Sequence, residues 1–245
     1  FVDIHPDTWN IDPEKIEASI TPRSTAILAV HIFSAPCDAT RITEIARTHN
    51  LKLIFDAAHA MAVKHNDRSI LEYGDVSTVS FHATKLLNTA EGGACVTSNI
   101  ELAKRLRRMR FFGFDEDKEV VDIGMNAKMT EISAALGITN LKHLDDTRAT
   151  RKIKYALYQK ELSATPYVQF QQFVPDEYNY SYMPILLNRK SGVNTVLARL
   201  NDENIYPRRY FYPALHTLER FKGSEKLPIA ENVSENILCL PLYDS

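Results

Sequence analysis

The sequence predicts an α/β protein: a mainly parallel sheet covered by helices, then a smaller C-terminal α+β part. Three observations carry this. Short apolar runs of the buried parallel-strand kind recur between residues 25 and 97. Helices with capping residues alternate with them. Past residue 162 the pattern changes.

The elements follow in order. Asp12 before Pro13 is an N-cap with proline at the first helical position, so a helix runs to about Ile20. Thr25–Val30 is the first buried strand. Asp38 caps the next helix, whose Ile42, Ile45 and Ala46 share one face. Leu51–Phe55, Val76–Phe81 and Gly93–Thr97 give three more strands. Asn99 caps a basic helix through about Arg110, whose run Lys104–Arg108 reads as a solvated face. Residues 130–162 read as one long helix, with Ala134, Ala135, Leu141 and Leu144 as packing positions. Tyr182–Leu187 is a strand and Val193–Asn204 a helix, with Pro166 and Pro175 bracketing the segment before them. The expected organisation is a larger part over residues 1–130, a long helix over 131–165 and a smaller part over 166–245.

Composition limits the function. The chain has 245 residues, 44% hydrophobic and 24% charged, which is globular. Its formal charge of −2 excludes an overall basic footprint for nucleic acid. No apolar run reaches the roughly 18 residues that span a bilayer. Cys37, Cys95 and Cys239 form no CxxC pair, so reduced thiols and a cytoplasmic location are expected, with no metal site. Only 8 residues are glycine, and the chain opens on Phe1-Val2-Asp3-Ile4, which reads as a strand. Both features suggest a large piece of a longer protein.

In an open parallel sheet, ligands bind where the strands end at their carboxyl side, so polar residues directly after apolar runs are candidates. Asp56 follows Leu53-Ile54-Phe55 and precedes Ala57-Ala58-His59. Ser80 closes the next run and is followed by Phe81-His82-Ala83-Thr84-Lys85. A carboxylate, a histidine, a serine and a lysine at neighbouring strand ends suit pyridoxal phosphate. Lysine can form a Schiff base with the cofactor aldehyde, and a carboxylate can keep the pyridine nitrogen protonated. Taken singly, each residue also has a plainer role. Asp56 can be a turn residue, Lys85 a surface lysine and His59 a loop histidine.

Several segments together are more specific. Phe1-Val2-Asp3-Ile4, Asn10-Ile11-Asp12-Pro13, Ile20-Thr21-Pro22-Arg23 and Val30-His31 come first. Asp56-Ala57-Ala58-His59-Ala60, Ser80–Lys85 and Glu91-Gly92-Gly93-Ala94 follow. Gly124–Met129 precedes Ala134-Ala135-Leu136-Gly137. In this order, residues 1–245 resemble the DegT/DnrJ/EryC1/StrS sugar aminotransferases, which are fold type I pyridoxal phosphate enzymes.

That resemblance implies roles. Lys85 would be the Schiff-base lysine and proton shuttle, and Asp56 the partner of the pyridine nitrogen. His59 would stack on the ring, and Ser80 would bond the phosphate. Asn126 would reach the phosphate of a partner subunit in a homodimer. Lys128 stands where relatives commonly carry arginine. The lysine loop looks most like that of C-4 aminotransferases acting on dTDP-4-dehydro-6-deoxyglucose, with glutamate as donor. The stretch Arg208–Pro213 with His216 resembles the substrate-facing loop, so Arg208 and His216 are candidate sugar or nucleotide contacts; Arg208 and Arg209 read equally well as surface charges. An amino-acid aminotransferase of the same fold, or a relative without turnover, are the alternatives. Intact Asp56, Ser80 and Lys85 argue against the latter.

Overall fold

The local signals act where the sequence places them. In the computed structural model, which describes residues 1–173, 178–188, 192–221 and 225–243, Pro13 opens α1 (Pro13–Ser19) and the Asp12 carboxylate accepts from Glu14 N at 3.1 Å. Pro175, at the far end of the expected connecting segment, lies outside the described residues. Strand β1 (Ala26–Val30) follows. Asp38 caps α2 (Ala39–Thr48) through Arg41 N at 2.9 Å, and Ile42, Ile45 and Ala46 are buried as the periodicity requires. Next come β2 (Lys52–Asp56), a small antiparallel pair β3 (Lys64–His65) and β4 (Arg68–Ser69), then β5 (Val76–Ser80) and β6 (Gly93–Val96).

The main sheet has the order β1-β2-β5-β6. The first three strands are parallel, with Val30, Asp56 and Thr78 in register. Strand β6 runs antiparallel to β5. The reason lies in the connection. Residues 81–92 form turns without a helix, and a parallel return needs a crossover. The expected opening strand reduces to one bridge, Ile4 to Ile11. Asp3 instead binds a distant helix start, where its carboxylate accepts from Ile229 N at 3.2 Å and Ala230 N at 2.9 Å.

Asn99 caps α3 (Ile100–Met109), which buries no residue, as a solvated basic helix should. The long helix expected over 130–162 is two helices, α4 (Glu131–Lys142) and α5 (Leu144–Leu162). His143 separates them at φ −105°, ψ 4°, and its N–H closes a tight turn onto Asn140 O at 3.1 Å. Asp145 and Asp146 then sit in the first turn of α5, where acidic residues favour a new helix start.

The C-terminal part holds β7 (Val168–Phe170), β8 (Met183–Leu187), α6 (Gly192–Asp202), α7 (Pro228–Asn236) and β9 (Ile237–Leu240). Its sheet has the order β7-β8-β9, all antiparallel. One buried cluster joins the two sheets. Ile27, Leu53 and Phe55 from the first share it with Met183, Ile185 and Leu238 from the second, and Tyr155 of α5 belongs to it too. Trp9, Phe33, Tyr182 and Ile237 form a second cluster. No helix among the described residues is long and apolar enough to cross a membrane.

Candidate active site

Asp56 is the last residue of β2. Its backbone is held on both sides, because His31 N donates to Asp56 O at 3.0 Å and Ala57 N donates to Thr78 O at 2.8 Å. The side chain turns back to accept from Ala58 N at 2.9 Å, which fixes the carboxylate at the strand end. The next turn, closed by Ala60 N donating to Ala57 O, carries His59.

His59 is buried. Its carbonyl accepts from Ser34 Oγ at 2.5 Å and from Asn179 Nδ2 at 2.7 Å. Asn179 is fully buried and also donates to Met61 O at 2.8 Å, while Tyr178 Oη donates to Phe33 O at 2.7 Å. The stretch entering β8 therefore grips the turns that follow β1 and β2. The His59 ring lies 4.5 Å from the Tyr182 ring, 5.6 Å from Phe211 and 6.3 Å from Phe33. Burial, with the Lys85 charge adding to it, lowers its pKa from 6.5 to about 3. At neutral pH it is a flat, uncharged ring, and its buried Nδ1 has no hydrogen-bond partner among the described residues.

Ser80 ends β5, and its Oγ accepts from His82 N at 3.3 Å. The turn beyond it brings Lys85 back towards the strand ends, with Lys85 N donating to His82 O at 2.9 Å. Lys85 is half-buried, and its Nζ lies 3.4 Å from Tyr182 Oη. Burial pulls the amine below the ordinary lysine range, and the Asp56 carboxylate opposes that shift. Burial pushes the Tyr182 phenol up, so it stays protonated at neutral pH. Asp56, His59 and Lys85 thus meet electrostatically, and Ser80 flanks the lysine turn.

The other candidates fall elsewhere. Asn126 is exposed on the loop after α3, in a bridge with Phe111. Lys128 packs its ammonium over the rings of Phe111 and Phe112, 4.9 Å from each centroid, where a planar guanidinium fork would have other uses. Arg208 is exposed, and its Nη1 donates to Tyr210 Oη at 2.7 Å. Tyr210 in turn meets the Tyr182 ring edge-on at 5.8 Å, so the 208–211 stretch reaches the site. His216 is buried, with its Nε2 held 3.0 Å from Glu231 Oε1. It also lines an apolar groove of about 570 Å³ that contains none of Asp56, His59, Ser80 or Lys85.

Sequence reading missed Tyr182 and Phe33, whose only signal is aromatic character, which hydrophobic-core residues share; Phe211 falls within the stretch Arg208–Pro213 expected to face the substrate.

The residues present fit pyridoxal phosphate. A primary amine with a lowered pKa sits near a carboxylate, a hydroxyl and a neutral ring with an orphaned buried nitrogen.

Comparison with known proteins agrees. The sequence profile of the DegT/DnrJ/EryC1/StrS aminotransferase family matches residues 1–245. A dTDP-4-amino-4,6-dideoxy-D-glucose transaminase of Shigella dysenteriae is 38% identical over 251 residues, 99% of this chain and 68% of its own length. The crystal structure of DesI in the presence of its TDP-sugar product superposes with a TM-score of 0.89 at 35% identity, over 98% of this chain and 63% of DesI. NtdA of Bacillus subtilis, solved with bound cofactor PMP, gives a TM-score of 0.86 at 29% identity, over 100% of this chain and 58% of NtdA. The chain thus spans about two thirds of the curated relative and somewhat less of the two solved structures.

Proposed function

The chain belongs to the DegT/DnrJ/EryC1/StrS aminotransferase family, and from that premise we propose a pyridoxal-phosphate-dependent sugar aminotransferase. It moves an amino group from glutamate to the keto group of a nucleotide-linked 4-keto-6-deoxy sugar, a dTDP-sugar in the first instance. The product serves the building of surface polysaccharides or glycosides in the cytoplasm. The observation that carries this is the placement of Lys85, its amine lowered in pKa by burial, beside Asp56 and the neutral His59 at adjoining strand ends.

Bound, the cofactor supplies a ring able to take up the electron pair released when a proton leaves the amine-bearing carbon. The chain's residues do the rest. Lys85 Nζ takes and returns that proton, and burial favours its uncharged form while the Asp56 charge opposes that shift. The Asp56 carboxylate, pinned by Ala58 N, holds a proton at the ring nitrogen. His59, uncharged and braced by Tyr182 and Phe211, gives the ring a flat wall. Ser80 Oγ offers a hydrogen bond to the phosphate. Arg208, held by Tyr210, is the candidate contact for the sugar or nucleotide.

The working unit in this reading is a homodimer in which Asn126 serves the partner's site. Two features support it. Asn126 is exposed, and α4 leaves Ile132, Leu136, Ile138 and Leu141 exposed.

Borohydride reduction of the intact protein, followed by peptide mapping, should fix the cofactor to Lys85. Lys85→Ala should cost at least about 100-fold in turnover on a panel of dTDP- and GDP-4-keto sugars with glutamate. Label on another lysine sinks the assignment. Turnover of amino-acid substrates alone moves the chain to a different activity.

A further inference from the structure

Helix α4 does more than expose apolar side chains. Its inner side lies against the loop that carries Lys85, through two contacts. A Cβ placed on Gly137 would sit 2.6 Å from Thr89 Cγ2. One turn on, Asn140 Nδ2 donates to the Asn88 carbonyl at 2.9 Å.

Thr89 is the hub of that loop and only 4% exposed. Its N–H donates to Phe81 O at 2.9 Å, and its Oγ1 donates to Glu91 O at 2.7 Å. Phe81 N donates to Gly92 O at 2.9 Å, so Thr89 ties together the two legs of the loop. Gly92 leaves the space for it, since a Cβ there would stand 2.4 Å from Thr89 Oγ1. Thr89 is β-branched, so its hydroxyl bond also fixes where its methyl points. The methyl points at Gly137. Asn88 and Thr89 follow Lys85 closely in the chain, so displacing them moves the lysine.

We propose that α4 is the positioning support of Lys85. Gly137 leaves the gap that receives the Thr89 methyl, and Asn140 anchors the Asn88 carbonyl. Gly137 therefore serves a contact within its own chain. The inference rests on Lys85 being the cofactor-bearing lysine, which the borohydride map of the wild-type protein checks separately.

The test is Gly137→Ala, alone and with Thr89→Ser. Helix propensity favours alanine over glycine, so α4 itself is not weakened by the change. The added methyl must instead push Thr89 and its loop. Gly137→Ala should lower kcat by about 10- to 100-fold with KM little changed, because small misplacements of a reacting group act on the chemical step. In the intact protein stripped of cofactor, the pH midpoint for acylation of Lys85, followed by mass spectrometry, should rise as the amine loses burial. Thr89→Ser removes Cγ2 and keeps the Oγ1 bond, so the double variant should recover both readings. Asn140→Ala adds no atom and should shift both in the same direction. Wild-type constants and midpoint in Gly137→Ala, or a double variant as impaired as the single, overturn the proposal. If Gly137→Ala does not fold, wild-type behaviour of Asn140→Ala overturns it as well.

Discussion

Two histidines are held uncharged by their surroundings, and both tie stability to pH. His31 is fully buried, stacked on Phe55 at 4.8 Å, with its Nδ1 accepting from Cys37 N at 3.2 Å. Burial lowers its pKa from 6.5 to about 3, and His59 behaves alike. Between these values the unfolded chain binds protons that the folded chain refuses. Stability therefore rises with pH from about 3 to 6.5 and is lost as pH falls through that window. His31→Gln removes one titrating group, so its urea midpoint should fall less than that of wild type between pH 6.5 and pH 4. Equal falls would mean His31 is protonated in the fold. At this scale the placement of Asp56 and Ser80 at strand ends, with His59 and Lys85 in the turns beyond them, was legible, because the apolar runs before them mark where the strands stop. Tyr182 was not. Its place beside Lys85, 97 residues away in sequence, depends on how the second sheet packs.

Among the elements, α4 stands apart. Ile132 is 84% exposed and Ile138 62%, on a helix that buries no residue. Exposed apolar side chains of this size ask for a cover, and a second copy of the chain is the proposed one. Replacing both isoleucines with aspartate should weaken self-association by at least about tenfold, since each buried isoleucine contributes roughly 1.5–3 kcal/mol. Sedimentation at graded concentrations reads this directly, and an unchanged dissociation constant removes α4 from the interface. Helix starts were legible at Asp12, Asp38 and Asn99, where a side-chain oxygen meets free N–H groups. The break at His143 was not, since apolar spacing continues through it. Strand β6 was found but not its direction, which is set by a connection too plain to read. Strands β7 and β9 are short runs, and β9 pairs with β8 from far along the chain.

For the whole molecule, the shared-site reading makes a prediction that only mixing can test. Lys85→Ala and Asn126→Ala subunits should each be impaired alone. Their mixed dimer would hold one site with both defects and one with neither, so activity should partly return. No recovery after demonstrated subunit exchange, or full activity in a monomer, rules out the shared site. The overall α/β plan was legible because alternating capped helices and apolar runs admit few arrangements. The continuity of the core across both sheets was not, since it arises from contacts far apart in sequence. One feature of that continuity bears on how such proteins can be recombined. Tyr178 and Asn179 hold the carbonyls of Phe33, His59 and Met61 from across the molecule. A chimera that takes its C-terminal part from a relative inherits the donors from one parent and the turns they grip from the other. Crossover points that keep the 33–34, 57–61 and 178–182 segments from a single parent preserve the fit. Exchanging C-terminal parts between relatives is therefore a matter of inheriting three short segments together, and not of joining two independent modules.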